Sequence, residues 1–188
     1  HVRSRRQRQM CIRDRLSEEE RMISETAASF ANKELSVRVE KAYNEEIIDE
    51  GIFKLMGETG LLGCTIPEEF GGLGANYVSY GLITREIEKV DSGYRSMMSV
   101  QSSLVMYPIS KFGSQSQKEK YLPKLASGES VGCFGLTEAN SGSDPASMTT
   151  KAKKVAGGFE LNGSKMWISN APIALSLIHI SEPTRPLY

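Results

Sequence analysis

The densest concentration of ligand-capable groups in the sequence is the run Leu136-Thr137-Glu138-Ala139-Asn140-Ser141-Gly142-Ser143-Asp144. Asn, Ser, Gly and Asp offer backbone N–H groups and hydroxyls without bulk, which suits close approach of a phosphate or another polar ligand. The same composition describes an ordinary surface turn. What sets this run apart is its place between an apolar run, residues 131–136, and the apolar-aromatic Met166-Trp167-Ile168. A second group of chemical interest is Arg95 with Ser96, Ser99, Ser102 and Ser103 among Met and Val. Arg95 and Ser99 stand one helical turn apart and can face one pocket, and Glu88, seven residues before Arg95, falls on the same face. Taken singly, an Arg on a helix is usually solvated or in a weak surface pair, a Trp is usually core, and serines can simply permit close helix packing.

The elements that must position these residues have two textures. Residues 16–129 read as a helical domain. Ser17 with Glu20 is a capping box, and Ile23, Ala27, Phe30, Ala31 and Leu35 share one face. Ile47, Ile48, Ile52, Phe53, Leu55 and Met56 predict a second stripe ending at Gly60. Asn76 caps a third helix carrying Val78, Leu82, Ile83, Ile87 and Val90, interrupted at Ser92-Gly93. A fourth runs to Phe112, with Pro108 predicting a kink or break. Ser114 with Gln117 is a further capping box, opening a fifth helix that Gly128 ends.

Residues 130–174 read as the start of a β domain, truncated before it can close. Residues 131–137 predict a strand, and residues 147–155 alternate in part before a turn at Ala156-Gly157-Gly158. Phe159-Glu160-Leu161 and residues 165–169 flank Asn162-Gly163, which predicts a hairpin there.

The two ends read differently. Residues 5–14 and 175–185 back-translate without a break to sequences resembling the opposite arms of a transposase-based sequencing-library adapter. Residues 1–15 and 175–188 are therefore expected to be adapter-derived rather than native. Setting them aside removes His1, His179 and Cys11. It also removes seven arginines and two acidic residues from a balance of 23 against 23, leaving a net charge of about −5. Nothing basic then points to nucleic acid. Cys64 and Cys133 form no metal-ligand spacing and are most simply buried small residues. Without a native His, Ser-His chemistry within this stretch is excluded. No apolar run approaches the roughly 20 residues of a membrane span.

Helices, followed by G-C-F-G-L-T-E-A-N-S-G-S-D and G-F-E-L-N-G-S-K-M-W-I-S-N, resemble the acyl-CoA dehydrogenase family. Within it, Val90-Asp-Ser-Gly-Tyr-Arg-Ser96 and the run on to Met106 are similar to the glutaryl-CoA dehydrogenases. The resemblance covers residues 16–174, the family's N-terminal helical domain and the start of its middle β-barrel domain. It implies an FAD enzyme that oxidises the bond between the alpha and beta carbons of an acyl-CoA and passes electrons to an electron-transferring flavoprotein. The glutaryl branch also decarboxylates its product to crotonyl-CoA. It further implies a homotetramer in the complete protein, placed in a bacterial cytoplasm or a mitochondrial matrix. FAD would be lined by Phe134, Gly135, Leu136, Thr137, Glu138, Ala139, Asn140, Ser141, Gly142 and Ser143, with Trp167, Ile168 and Ser169 against the flavin. Substrate would be met by Glu88, Arg95, Ser96, Ser99 and Ser143, with Arg95 on the distal carboxylate of glutaryl-CoA. The family commonly has Pro where Ala139 stands and Thr where Ser169 stands; Ser169 keeps the hydroxyl. Its catalytic base is a Glu of a C-terminal domain outside this sequence, so no catalytic residue is assigned here. A short- or branched-chain acyl-CoA dehydrogenase, or a non-catalytic helical module retaining the fold, are the alternatives.

Overall fold

The computed structural model describes residues 15–49, 51–174 and 176–179. Ser17 Oγ accepts the Glu20 N–H at 3.1 Å while the Glu20 carboxylate accepts the Ser17 N–H at 2.9 Å, closing the expected capping box. Helix α1 (Glu18–Phe30) passes through a π-helical stretch (Ala31–Leu35) into α2 (Ser36–Glu45). Ala27, Phe30, Ala31 and Leu35 are buried, as their shared face requires. The second stripe is only half realised. Ile52, Phe53 and Met56 are buried on α3 (Gly51–Glu58), whereas Ile47 and Ile48 precede that helix and stay exposed. Glu46, in the left-handed conformation at φ 52°, ends α2, and Asp49 is held at 2.8 Å by Arg38, so the connection is drawn back along α2.

Asn76 accepts the Ser79 N–H at 2.9 Å and opens α4 (Tyr77–Glu88), which packs along α1. Asp91 caps α5 (Ser92–Ser99) by accepting the Tyr94 N–H at 2.8 Å. The predicted kink at Pro108 takes another form. The chain widens into a π-helical run (Val100–Met106) that continues without a break into α6 (Tyr107–Phe112), so Pro108 and its missing N–H fall directly after the stretch of altered register. The capping box of Ser114 and Gln117 opens α7 (Gln115–Ala126), and Gly128, at φ 72°, turns the chain away from it. Cys64 and Cys133 are free and buried, and burial pushes the Cys64 thiol up to about 11.

The β part is small. Strand β1 (Gly132–Gly135) leads into the Asn/Ser/Gly loop. Strands β2 (Lys151–Val155) and β3 (Gly158–Asn162) form an antiparallel hairpin closed at Val155 and Gly158, the turn expected at Ala156-Gly157. The hairpin expected at Asn162-Gly163 does not form. Residues 165–169 bend back instead, because Lys165 is drawn into an interior ion pair. Trp167 at φ 59° and Asn170 at φ 66° are also incompatible with a strand. Strand β4 (Ser176–His179), within the stretch read as adapter-derived, lies parallel to β1 with Gly132 opposite Ser176 and Gly135 opposite His179.

One side chain fixes β1 to the helices. Gln101, on the π-helical run, is fully buried. Its amide nitrogen donates to the carbonyls of Leu125 at 2.9 Å and Ser130 at 2.8 Å, and its oxygen accepts the Gly132 N–H at 2.8 Å. A Cβ at Gly132 would collide with the Val105 side chain, so only glycine permits this approach. Gln101→Leu removes the partner of the buried Gly132 N–H and of the Ser130 carbonyl and is expected to destabilise the fold by about 2–4 kcal/mol, read by urea denaturation. A change within about 0.5 kcal/mol, the scatter of an ordinary surface substitution, would contradict this role.

Candidate functional site

The loop after β1 is held from inside by a carboxylate and an ammonium group. Glu138 is 6% exposed. Its carboxylate accepts the Thr149 N–H at 2.7 Å, the Thr149 hydroxyl at 2.9 Å, the Thr150 N–H at 3.0 Å and Lys165 Nζ at 2.9 Å. The Thr149 N–H first, and Lys165 with it, hold the carboxyl well below the usual carboxylate range. Lys165, with a side chain only 10% exposed, also donates to the Leu136 carbonyl at 2.9 Å. Beside it the Met166 N–H donates to the Thr137 carbonyl at 2.9 Å.

The tip of the loop closes on itself. Glu138 and Ser141 exchange both backbone hydrogen bonds, at 3.2 and 3.1 Å, around Ala139 and Asn140. The Ser141 hydroxyl is buried and donates to the Asp144 carbonyl at 2.6 Å, and the Ser147 hydroxyl reaches the same oxygen at 2.9 Å. Asp144 in turn accepts the Ala146 N–H at 3.2 Å. Ala139, Asn140, Gly142 and Ser143 are exposed. Phe134, Leu136 and Thr137 are half-buried, and Gly135 is buried in β1.

The second run turns outward. Trp167 is 85% exposed, Ser169 is exposed and Ile168 is half-buried. An indole left almost wholly in water on a left-handed backbone turn is an exposed flat apolar surface. Asn170 anchors the turn. Its side-chain amide donates to the carbonyls of Met97 and Gly132, both at 3.3 Å. The segment at residues 167–169 is thereby tied to both α5 and β1.

On the helical side, Arg95, Ser96 and Ser99 lie half-buried on α5. Glu88 closes α4, so it does not share a continuous helical face with Arg95. An ion pair across the break joins them, with Arg95 Nε donating to Glu88. The two Nη groups carry no hydrogen bond among the described residues, which leaves the guanidinium fork for an incoming acceptor. Ser99 is engaged through its carbonyl, which accepts the Ser103 hydroxyl at 2.6 Å.

The structure thus links the three stretches singled out in the sequence: α5 and residues 167–170 through Asn170, and residues 136–138 and 165–166 through Lys165. Sequence reasoning missed Gln101, Lys165 and Asn170. The signal for Lys165 was a lone basic residue entering an apolar-aromatic run; that for Asn170 was an Asn after it, the residue type that tolerates a left-handed turn. Among the described residues no group of three or more His, Cys, Asp and Glu is placed to hold a metal ion, and no helix is long and apolar enough to cross a membrane.

Two family models match the chain. The model of the acyl-CoA dehydrogenase N-terminal domain matches residues 17–129, and that of the acyl-CoA dehydrogenase middle domain matches residues 133–185. The chain is 38% identical over 161 residues to a mitochondrial isovaleryl-CoA dehydrogenase of Solanum tuberosum, covering 85% of this chain and 39% of that one. It is 40% identical over 159 residues to an acyl-CoA dehydrogenase of Bacillus subtilis, covering 85% and 42%. It superimposes on a glutaryl-CoA dehydrogenase from Mycobacterium smegmatis, solved in complex with FADH2, with a TM-score of 0.82 at 43% identity, covering 85% of this chain and 41% of that one. The chain spans about two-fifths of the length of these relatives.

The Glu138 carboxylate gives the site a pH signature. Its folded-state pKa lies below the ordinary value of 4.5, so its contribution to stability is complete above that value and is lost as pH falls through the folded one. Thermal unfolding followed from about pH 7 to about pH 3 is expected to show Tm falling on the acid side, and Glu138→Gln is expected to flatten that limb. An acid limb of unchanged slope in the variant would contradict the assignment.

Proposed function

This chain belongs to the acyl-CoA dehydrogenase family, and from that premise we propose that the protein it is part of is an FAD-dependent acyl-CoA dehydrogenase acting on glutaryl-CoA. The observation that carries the substrate is the state of Arg95. Glu88 engages Nε and orients the group, while both Nη groups remain uncommitted among the described residues. A guanidinium fork meets a carboxylate by two parallel hydrogen bonds, which suits the distal carboxylate of a dicarboxylic acyl group. Ser96 and Ser99 flank it on α5. A fixed distal end determines which carbons of the acyl chain lie at the reacting position.

The residues of the β part fit a flavin. The loop at residues 136–144 has its carbonyls at 136, 137, 138, 141 and 144 occupied internally. That leaves exposed N–H groups and the Ser143 hydroxyl to meet phosphate or the polar edge of a ring. Trp167 offers its flat face and Ser169 a hydroxyl beside it. FAD would supply acceptance of a hydride from the beta carbon. Donors near Leu136 and Thr137 would stabilise the negative charge that arrives with it. In this reading Phe134 to Ser143, with Trp167, Ile168 and Ser169, hold the cofactor, and Ser143 also meets the CoA portion. The base that removes the alpha proton is a Glu outside this chain, and the electrons pass to an electron-transferring flavoprotein. Residues 1–15 and 175–188 are read as adapter-derived, and the complete protein as a homotetramer.

A branched-chain substrate is the second reading, favoured by the likeness to an isovaleryl-CoA dehydrogenase. An uncharged acyl tail would leave the Arg95 fork unpaired in a closed site, a costly arrangement. In the complete enzyme, Arg95→Ala is expected to lower kcat/KM for glutaryl-CoA about 100-fold, near 2.7 kcal/mol, the order lost when one partner of a desolvated charge pair is truncated. Turnover of butyryl-CoA is expected to change far less. Equal losses on both substrates would overturn the glutaryl assignment.

A further inference from the structure

The buried pair beneath the loop does more than join two strands' ends. Lys165 is engaged in two directions: to the Glu138 carboxylate and to the Leu136 carbonyl, each at 2.9 Å. Glu138 is itself fixed by the Thr149 and Thr150 contacts, so the ion pair holds the ammonium within reach of Leu136, where its second donor finds a buried acceptor. Next along the loop, the Thr137 carbonyl is taken by Met166 N–H and the Glu138 carbonyl by Ser141 N–H. Three consecutive acceptors are thus consumed inside the protein. The N–H groups of Thr137, Ala139, Asn140, Gly142 and Ser143 carry no hydrogen bond among the described residues. With the carbonyls of Leu136 to Glu138 turned inward, the free Thr137 N–H is left beside no competing acceptor at this end of the loop.

We propose that Lys165, locked by Glu138, is a positioning residue: by holding the Leu136 carbonyl inward it keeps the free N–H groups of the loop, that of Thr137 first, turned to the flavin. The inference rests on the flavin-binding reading above and adds to it the device that sets the loop's polarity. A preorganised row of donors stabilises the reduced, electron-rich ring more than the oxidised one, so the device raises the potential of the bound flavin. Both side chains are buried beneath the loop, and Lys165 acts on it through the Leu136 backbone carbonyl. Replacing both charges together avoids a buried unpaired ion, which separates this role from mere stability.

The test uses the complete FAD-loaded protein and a dye-equilibrated redox titration. Glu138→Gln with Lys165→Met removes the donor to Leu136 without leaving a charge. It is expected to retain FAD but to shift the equilibrium about tenfold toward oxidised flavin, a fall of about 30 mV for a two-electron couple. Glu138→Gln alone keeps the Lys165 contact and leaves its charge uncompensated, so the potential is expected to hold or rise. An unchanged potential in the double variant overturns the positioning role while leaving the flavin reading intact. A fall in Glu138→Gln alone as large as that expected of the double variant also overturns it, and this arm decides should the double variant not fold. A complete wild-type protein that binds no FAD overturns the flavin reading and this inference together.

Discussion

A single buried amide decides where the β part of this chain sits on the helical part. Gln101 spends both ends of its side chain on backbone: two carbonyls at the end of the helical domain and the first N–H of β1. An amide with no water around it is tolerated only when its hydrogen bonds are made, so it specifies one docking geometry rather than a family of them. The π-helical widening around it has a physical origin nearby. Pro108 supplies no N–H, and the seven residues before α6 take up the altered register. The same widened run places Ser102, whose hydroxyl accepts the buried Gly63 N–H at 3.1 Å, and so ties in the loop that follows α3.

From that docking point the rest of the candidate site follows through polar anchors of limited reach. Asn170 bonds to both Met97 on α5 and Gly132 on β1, so the turn bearing Trp167 can only sit where the two elements meet. Lys165 and Glu138 fix the loop after β1 from beneath. Glu88 fixes one edge of Arg95 across the gap between α4 and α5. Each anchor is a directional contact, and each joins segments far apart in sequence or separated by a chain break in helix. Apolar packing alone, which is non-directional, would hold these segments together without setting their angles.

Much of the helical half was legible in the residues because its signals are local. Capping boxes at Ser17 and Ser114 and the cap at Asn76 form where spacing predicts, since each needs only three or four residues. The buried face of α1 follows from periodicity in the same way. Ile47 and Ile48 misled because an apolar pair before a helix looks like its first turn, and only the distant Arg38–Asp49 contact shows why the chain departs there. Asn162-Gly163 misled for a related reason. A local hairpin signal lost to a tertiary pull on Lys165, and the hairpin formed one turn earlier instead. The loop at residues 136–144 was legible as a polar-ligand candidate. Its internal wiring was not, because it depends on partners at 149, 150, 165 and 166.

The account turns on one contact, the Arg95 fork with the far end of a dicarboxylic substrate. A crystal structure of the complete protein with glutaryl-CoA bound tests it most directly. The account predicts both Nη groups within about 3 Å of the distal carboxylate, with Glu88 still on Nε. Arg95 turned to solvent, with that carboxylate held by other residues, would contradict it.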